Sequence, residues 1–244
     1  MYKEGSSRKL GPFLLMPEQK RWELIAATMS SQVKPILIGF GQNPAMLAVS
    51  GLSCTRGERQ LFADVNFDLG SGEWLHVQGG NGTGKTSLMR LLIGLSPADA
   101  GEIQWRGEKA PSAEFRRELM YLGHHAAIKE ELSPLENLLL AAALDDTVLD
   151  ERGALAALIR VGLRGREELP VRVLSAGQKR RVLLARLLTR PAKLWVLDEA
   201  FNALDVGAVK MLGDLIAEHL ASGGMAVLTS HQPLPLPGGK TLTL

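Results

Sequence analysis

One cysteine, Cys54, stands in the 244 residues. A lone cysteine excludes an internal disulfide, fits a reducing compartment, and serves best as a small buried hydrophobe. No run approaches the roughly 18–20 consecutive apolar residues that a membrane-spanning helix needs, so any membrane association passes through a partner or a surface. A secretory leader is not expected, because the early apolar stretches are short and broken by Glu18, Lys20, Arg21 and Glu23. There is no large excess of either charge: 28 Lys+Arg against 26 Asp+Glu leave +2, which removes the main argument for nucleic acid as a partner. Internal repeats and low-complexity tracts are missing as well. What is present is a composition of 45% hydrophobic and 22% charged residues, enough apolar material for the packed core of one large domain or two small ones.

Residues 1–45 differ from the rest. They are punctuated by Pro12, Pro17, Pro35 and Pro44, with a short helical pattern only between Glu18 and Met29. This stretch is expected to be an N-terminal extension, either flexible or upstream of a true start at Met46. From residue 46 the pattern becomes that of an α/β domain. Leu47 to Val49, Asp64 to Leu69 and Glu73 to Gln78 read as strands. Further strands are expected over Gly101 to Gly107, Leu119 to Leu122, Leu194 to Leu197, Met225 to Thr229 and Thr241 to Leu244. Residues 134–169 carry apolar side chains at helical spacing and are expected to be helical, an insertion between strand-rich halves. Two more helices are expected, from Gly177 to Leu188 and from about Val206 to Ala221.

The chain is organised around Gly79-Gly80-Asn81-Gly82-Thr83-Gly84-Lys85-Thr86, which fits G-x-x-x-x-G-K-[ST] at every position. A strand precedes it, and Ser87-Leu88-Met89-Arg90-Leu91 opens a helix after it, which is the context this motif requires. Glycines let backbone N–H groups turn inward and approach phosphate oxygens. The helix N-terminus adds about half a positive charge. Lys85 would reach the outer phosphates, and the Thr86 hydroxyl would bind Mg²⁺.

Two further patterns belong with this loop. Leu194-Trp195-Val196-Leu197 is a fully apolar strand ending in Asp198 and Glu199, so the carboxylates emerge at the edge where open α/β sheets bind ligands. Asp198 suits Mg²⁺, directly or through water, and Glu199 suits orientation of an attacking water. Leu174-Ser175-Ala176-Gly177-Gln178 reads as a capped helix start, with Ser175 as N-cap and Gly177 permitting close backbone approach. It is either a second anion site or an ordinary cap. Lys179, Arg180 and Arg181, which follow, read as a solvated helix face rather than a nucleic-acid patch. His76 and His219 read as structural.

This order of motifs resembles the ATP-binding cassette (ABC) family over residues 46–244. Gly79 to Thr86 is similar to the Walker A loop, Leu174 to Gln178 to the signature sequence, and Asp198-Glu199 to the end of Walker B with its catalytic glutamate. Ala203-Leu204-Asp205 is similar to the D-loop, and Ser230-His231 to the switch histidine. The resemblance implies a P-loop NTPase fold, with a RecA-like parallel-sheet core, an antiparallel β subdomain and a helical subdomain inserted at about residues 125–175. It implies ATP and Mg²⁺ and catalysis by Glu199, His231 and Lys85. Nucleotide contacts would extend from Gly79 to Ser87, with metal ligation by Thr86 and Asp198. It also implies a head-to-tail homodimer, in which Ser175, Ala176, Gly177, Gln178 and Asp205 serve the nucleotide held by the partner's loop.

Three positions depart from the family pattern. His125 takes the place of the glutamine that senses Mg²⁺ and water. A neutral imidazole can ligate a metal whereas an imidazolium cannot, so activity carried by His125 would fall on acidification. Arg56 is the nearest match to the aromatic that stacks on adenine, and a guanidinium plane can stack in its stead. Ala200 replaces a proline after the catalytic glutamate.

The resemblance narrows further. Gly101-Glu102-Ile103-Gln104-Trp105, Leu132-Ser133-Pro134-Leu135-Glu136-Asn137-Leu138, Phe201-Asn202-Ala203-Leu204-Asp205 and Ser230-His231-Gln232-Pro233-Leu234 are similar to the ATP-binding subunits of the haem exporter of c-type cytochrome biogenesis. That implies membrane-spanning permease subunits as partners and a peripheral place on the cytoplasmic face of the inner membrane. Hydrolysis would release a haem-loaded chaperone, and no haem would bind this chain directly, in keeping with the missing Cys-x-x-Cys-His. The competing expectations are an ABC ATPase of another small exporter, a soluble cassette protein acting on ribosomes or DNA, and a P-loop kinase or GTPase. The last accounts for the phosphate loop but not for Leu174 to Gln178.

Overall fold

The computed structural model describes residues 45–123, 128–202, 204–230 and 234–244. Expectations placed on residues 1–44, His125, Ala203 and His231 lie outside the described residues. In chain order the first elements are β1 (Leu47–Arg56), β2 (Arg59–Leu69), β3 (Trp74–Gln78), α1 (Lys85–Leu92), β4 (Ala100–Trp105), β5 (Glu108–Lys109), α2 (Ala113–Glu118) and β6 (Leu119–Leu122). They are followed by α3 (Pro134–Leu144), α4 (Glu151–Arg160), a 3-10 turn (Val171–Val173), α5 (Ala176–Thr189), β7 (Leu194–Leu197), α6 (Val206–Ala221), β8 (Met225–Thr229) and β9 (Lys240–Thr243).

Two sheets result. An antiparallel sheet has the order β2-β1-β4-β5, and a parallel sheet has the order β6-β7-β8-β3-β9. Strands β7 and β8 lie inside the parallel sheet and are buried along their whole length, which is why both read as unbroken apolar runs rather than alternating ones. Their side chains still alternate between two cores. Leu194, Val196, Met225 and Val227 face the core shared with α1 and the antiparallel sheet. Trp195, Leu197, Ala226 and Leu228 face the core shared with the helices α3 to α6. Each such aliphatic side chain contributes about 1.5–3 kcal/mol on burial.

The first hairpin is longer than the sequence pattern suggests. Strands were expected at Leu47 to Val49 and Asp64 to Leu69; they extend to Arg56 and begin at Arg59. A break in register between Val49 and Leu52 explains the shortfall. Leu47 and Val49 point into the core, then Leu52 and Cys54 do so, so the inward phase changes from odd to even across a bulge and hides the period of two. The bulge sits at Gly51, with φ 61°. Gly101 crosses it so closely that a Cβ there would lie 2.4 Å from the Gly51 carbonyl carbon.

The inserted segment is also corrected in detail. Residues 134–169 are not continuously helical: α3 stops at Asp145, Asp150 caps α4 by accepting from the Gly153 N–H, and turns follow Arg160. The local reasons are Asp146 at φ 52°, Gly162 at φ 78° and Pro170 ahead of the 3-10 turn. The start of α3 is well specified. Ser133 and Glu136 form a reciprocal capping box, and the Asn137 amide clamps both the N–H and the carbonyl of Lys129. Among the described residues no helix is long and apolar enough to cross a membrane.

Candidate active site

Strand β3 delivers the chain into the glycine loop, and the loop delivers it into α1. Gly79, Gly82 and Gly84 have φ of 150°, 77° and 111°, values that L side chains rarely adopt. At Gly79 the space is closed as well, since a Cβ would sit 2.6 Å from Thr83 Oγ1. The Thr83 hydroxyl donates to the Gly80 carbonyl at 3.0 Å and braces the turn. Helix α1 has Gly84 at its N-cap position and no side-chain cap, so its first N–H groups are left for an anion. Lys85 is 6% exposed. Its Nζ donates to the carbonyls of Gly79 and Gly80 at 2.8 Å each, which holds the ammonium at the loop. Asn81 is exposed and Ser87 half-buried.

Beside this loop a cleft of about 380 Å³ is lined by Thr86, Arg90, Leu95, Tyr121, Gly123, Asp198 and Glu199. The two acids sit where expected, at the end of β7, and their surroundings differ sharply. Asp198 is wholly buried. Its Oδ1 accepts from Thr229 Oγ1 at 2.7 Å, while its Oδ2 is buried with no hydrogen-bond partner among the described residues. Glu199 is half-buried, with φ 53°. A non-glycine residue in the left-handed region costs about 1–3 kcal/mol and persists where its neighbours over-determine it. They do so here. The Glu199 N–H donates to Thr229 Oγ1 at 2.7 Å, the Glu199 carbonyl accepts from Arg180 at 3.1 Å, and Oε2 accepts from Asn202 Nδ2 at 2.8 Å. One hydroxyl, that of Thr229, thus serves both acids. Burial, reinforced by the Asp198 charge, raises the Tyr121 phenol above its ordinary range.

The signature segment lies at the start of α5. Ser175 is the N-cap, accepting from the Gln178 N–H, and the Gln178 side chain accepts from the Ser175 N–H in return. Ser175 and Ala176 are exposed, and nothing lies within 4 Å of where a Gly177 Cβ would be. No residue of this segment lines the cleft beside Thr86. Asp205 caps α6 by accepting from the Ala208 N–H at 2.7 Å and pairs with Arg181 at 3.1 Å. The Ala208 bond, then the Arg181 contact, holds its carboxyl below the usual range. Arg56 is exposed at the turn between β1 and β2.

The basic triplet corrects the reading of a solvated helix face. Lys179 pairs with Glu130, Arg181 with the Val161 carbonyl and Asp205, and Arg180 turns inward onto the carbonyls of Glu199 and Ala200. Burial lowers the Arg180 pKa, and the Asp198 and Glu199 charges oppose that shift. Residues overlooked in the sequence are therefore Thr229, Asn202 and Arg180. Only Thr229 had a legible signal: it ends the apolar strand β8 as Asp198 follows the neighbouring β7.

A glycine loop ahead of an uncapped helix, with two adjacent carboxylates at the end of a buried parallel strand, is the arrangement of a P-loop ATPase. Residues 62–202 match the family described as ABC transporter. The chain is 57% identical over 196 residues to the cytochrome c biogenesis ATP-binding export protein CcmA of Dechloromonas aromatica, covering 80% of this chain and 96% of that protein. It is 50% identical over 196 residues to the protein of the same name from Methylococcus capsulatus, covering 80% and 95%. The chain belongs to the CcmA family of ABC ATPases. Among solved structures, an ATP-binding subunit of an ABC transporter superposes with a TM-score of 0.68 at 28% identity, over 76% of this chain and 79% of that one. The mixed parallel and antiparallel architecture expected from the resemblance is the one observed, and nucleotide binding follows from the family.

Proposed function

We propose that this chain is the ATP-hydrolysing subunit of a membrane ABC exporter in c-type cytochrome biogenesis, with haem as cargo. The names of relatives up to 57% identical, which describe an ATP-binding export protein of cytochrome c biogenesis, support the assignment. Residues 46–244 form the ATP-binding domain and residues 1–45 an extension to it. The partners are permease subunits that span the inner membrane, and this chain lies against their cytoplasmic side. No haem and no nucleic acid bind it directly.

The observation that carries the chemistry is the arrangement around Thr229. The loop N–H groups, the start of α1 and Lys85 hold the triphosphate. Thr86 and Asp198 would hold Mg²⁺, with His125 a further candidate. The buried, unpartnered Oδ2 of Asp198 fits a cation, because a carboxylate oxygen withdrawn from water otherwise lacks compensation. Mg²⁺, when bound, neutralises charge on the outer phosphate oxygens. Glu199, anchored at its N–H, carbonyl and carboxylate, orients water for in-line attack on the γ-phosphate, and His231 stabilises the charge that develops there. ATP and water give ADP and phosphate.

Two copies act head to tail. Ser175, Ala176, Gly177 and Gln178 do not line their own cleft, and together with Asp205 they close over nucleotide held by the partner. Arg56 is positioned at a hairpin tip to cover the adenine. The experiment is gel filtration of the Glu199→Gln protein with ATP and Mg²⁺. A dimer that dissociates on ATP removal supports the proposal; a monomer at every ATP concentration sinks the head-to-tail arrangement.

A further inference from the structure

We propose that Arg180 is a positioning residue for catalysis, holding Glu199 in its left-handed conformation through the main chain. Glu199 has φ 53°. That backbone aims the carboxylate differently from an extended or helical one, and it survives only under constraint from several sides. Thr229 constrains the N–H and Asn202 the carboxylate. Arg180 constrains the carbonyl side: one guanidinium nitrogen donates to the Glu199 carbonyl at 3.1 Å, and Nε donates to the Ala200 carbonyl at 3.4 Å. Two successive carbonyls gripped by one planar fork fix the peptide between them, which a point charge would not do.

The placement of Arg180 suits this task. Its side chain is turned toward the acids rather than to water, with Asp198 and Glu199 the charges that favour its ionised form. The guanidinium donates to two main-chain carbonyl oxygens, so it acts on the backbone of Glu199. Arg180 also lies on α5, the helix that opens at the exposed Ser175 cap, so the same helix that displays the signature segment grips the catalytic peptide of its own chain.

This inference rests on Glu199 being the residue that orients water, and the experiment separates the two ideas. ATP turnover of the full-length chain is measured for Arg180→Ala, Arg180→Lys, Glu199→Gln and the double variant Arg180→Ala/Glu199→Gln. A lost charge-assisted hydrogen bond predicts a fall in kcat of about 10-fold or more for Arg180→Ala, with the KM for ATP within about twofold of the parent, as for a contact felt only in the chemical step. Arg180→Lys recovers part of the loss, since an ammonium reaches one carbonyl but not both. In single-turnover measurements the double variant is no slower than Glu199→Gln alone. A raised KM at unchanged kcat, or equal losses in the presence and absence of Glu199, would overturn the proposal. If Glu199→Gln itself leaves turnover intact, the reading of Glu199 fails instead. Should Arg180→Ala not fold, Arg180→Lys against its own Glu199→Gln double variant decides the matter by the same comparison.

Discussion

The two halves of the active site are built in opposite ways. The proposed phosphate side is one contiguous stretch, from Gly79 to Ser87, that offers main-chain N–H groups and a lysine bonded to its own loop. The carboxylate side is assembled from β7, β8, the loop after β7 and α5, and works through side chains that hold one another. The first half is a local conformation that glycine makes possible. The second is a tertiary agreement in which Thr229 serves two acids and Arg180 arrives from a different helix. Binding should thus be sensitive to the loop alone, whereas turnover should be sensitive to residues scattered through the chain.

Substitutions can break this contrast. The largest effect is expected for Glu199→Gln, which keeps shape and removes the carboxylate charge proposed to orient water: turnover should fall by about 10²–10⁴ while ATP binding, measured by equilibrium titration, persists. Equal loss of binding would erase the division of labour. Next is Lys85→Ala. Each hydrogen bond from a charged group to phosphate contributes about 1.5–3 kcal/mol, so ATP should bind roughly 10–100-fold more weakly. That loss is to be read in the same titration.

Thr229→Val tests the shared hydroxyl. It leaves Asp198 Oδ1 and the Glu199 N–H without their partner at a buried site. Urea unfolding should show a loss of about 1–3 kcal/mol, with turnover lowered and ATP affinity nearly unchanged. Thr229→Ser, which keeps the hydroxyl, should restore most of the turnover.

The smallest effect is expected from His219, which lies outside both halves and sharpens the comparison as a control. Its ring stacks on Trp195 at 3.9 Å and bonds the Met225 carbonyl through Nε2 at 3.1 Å. Burial lowers its pKa below the ordinary histidine value of 6.5. The unfolded chain therefore takes up this proton first. The stability that neutral His219 contributes is present above about pH 6.5 and is lost as pH falls toward the lower folded value. His219→Gln should flatten that limb of stability against pH in urea titrations, leaving kcat at pH 7.5 unaffected.

How much of this was readable in advance follows the same division. The glycine loop, the apolar strand tipped by Asp198 and the Ser175 cap are each spelled by adjacent residues, and each lies where the sequence pattern puts it. The first hairpin was underestimated because a bulge at Gly51 shifts the inward phase between Val49 and Leu52, and periodicity carries no warning of a phase shift. The helical insertion was overestimated because apolar spacing continues past Arg160 into turns whose apolar residues, Val161 and Leu163, are buried all the same. Arg180 was misjudged because a charged residue on a helix is normally solvated, and only the chain after β7 supplies the carbonyls that draw it inward.

The amino-acid order by itself determined the glycine loop, the place of the acid pair at the end of a buried strand and the family of the chain, since short-range spacing settles backbone freedom and residue type. Only the tertiary structure decided that Thr229 joins the two acids, that Asn202 and Arg180 bond Glu199 in a left-handed turn, and that Ser175 to Gln178 do not line the cleft beside Thr86. Those are distances between residues far apart in the chain, set by which strands lie side by side and which helices cover them, and no pattern of neighbours along the chain encodes a distance of that kind.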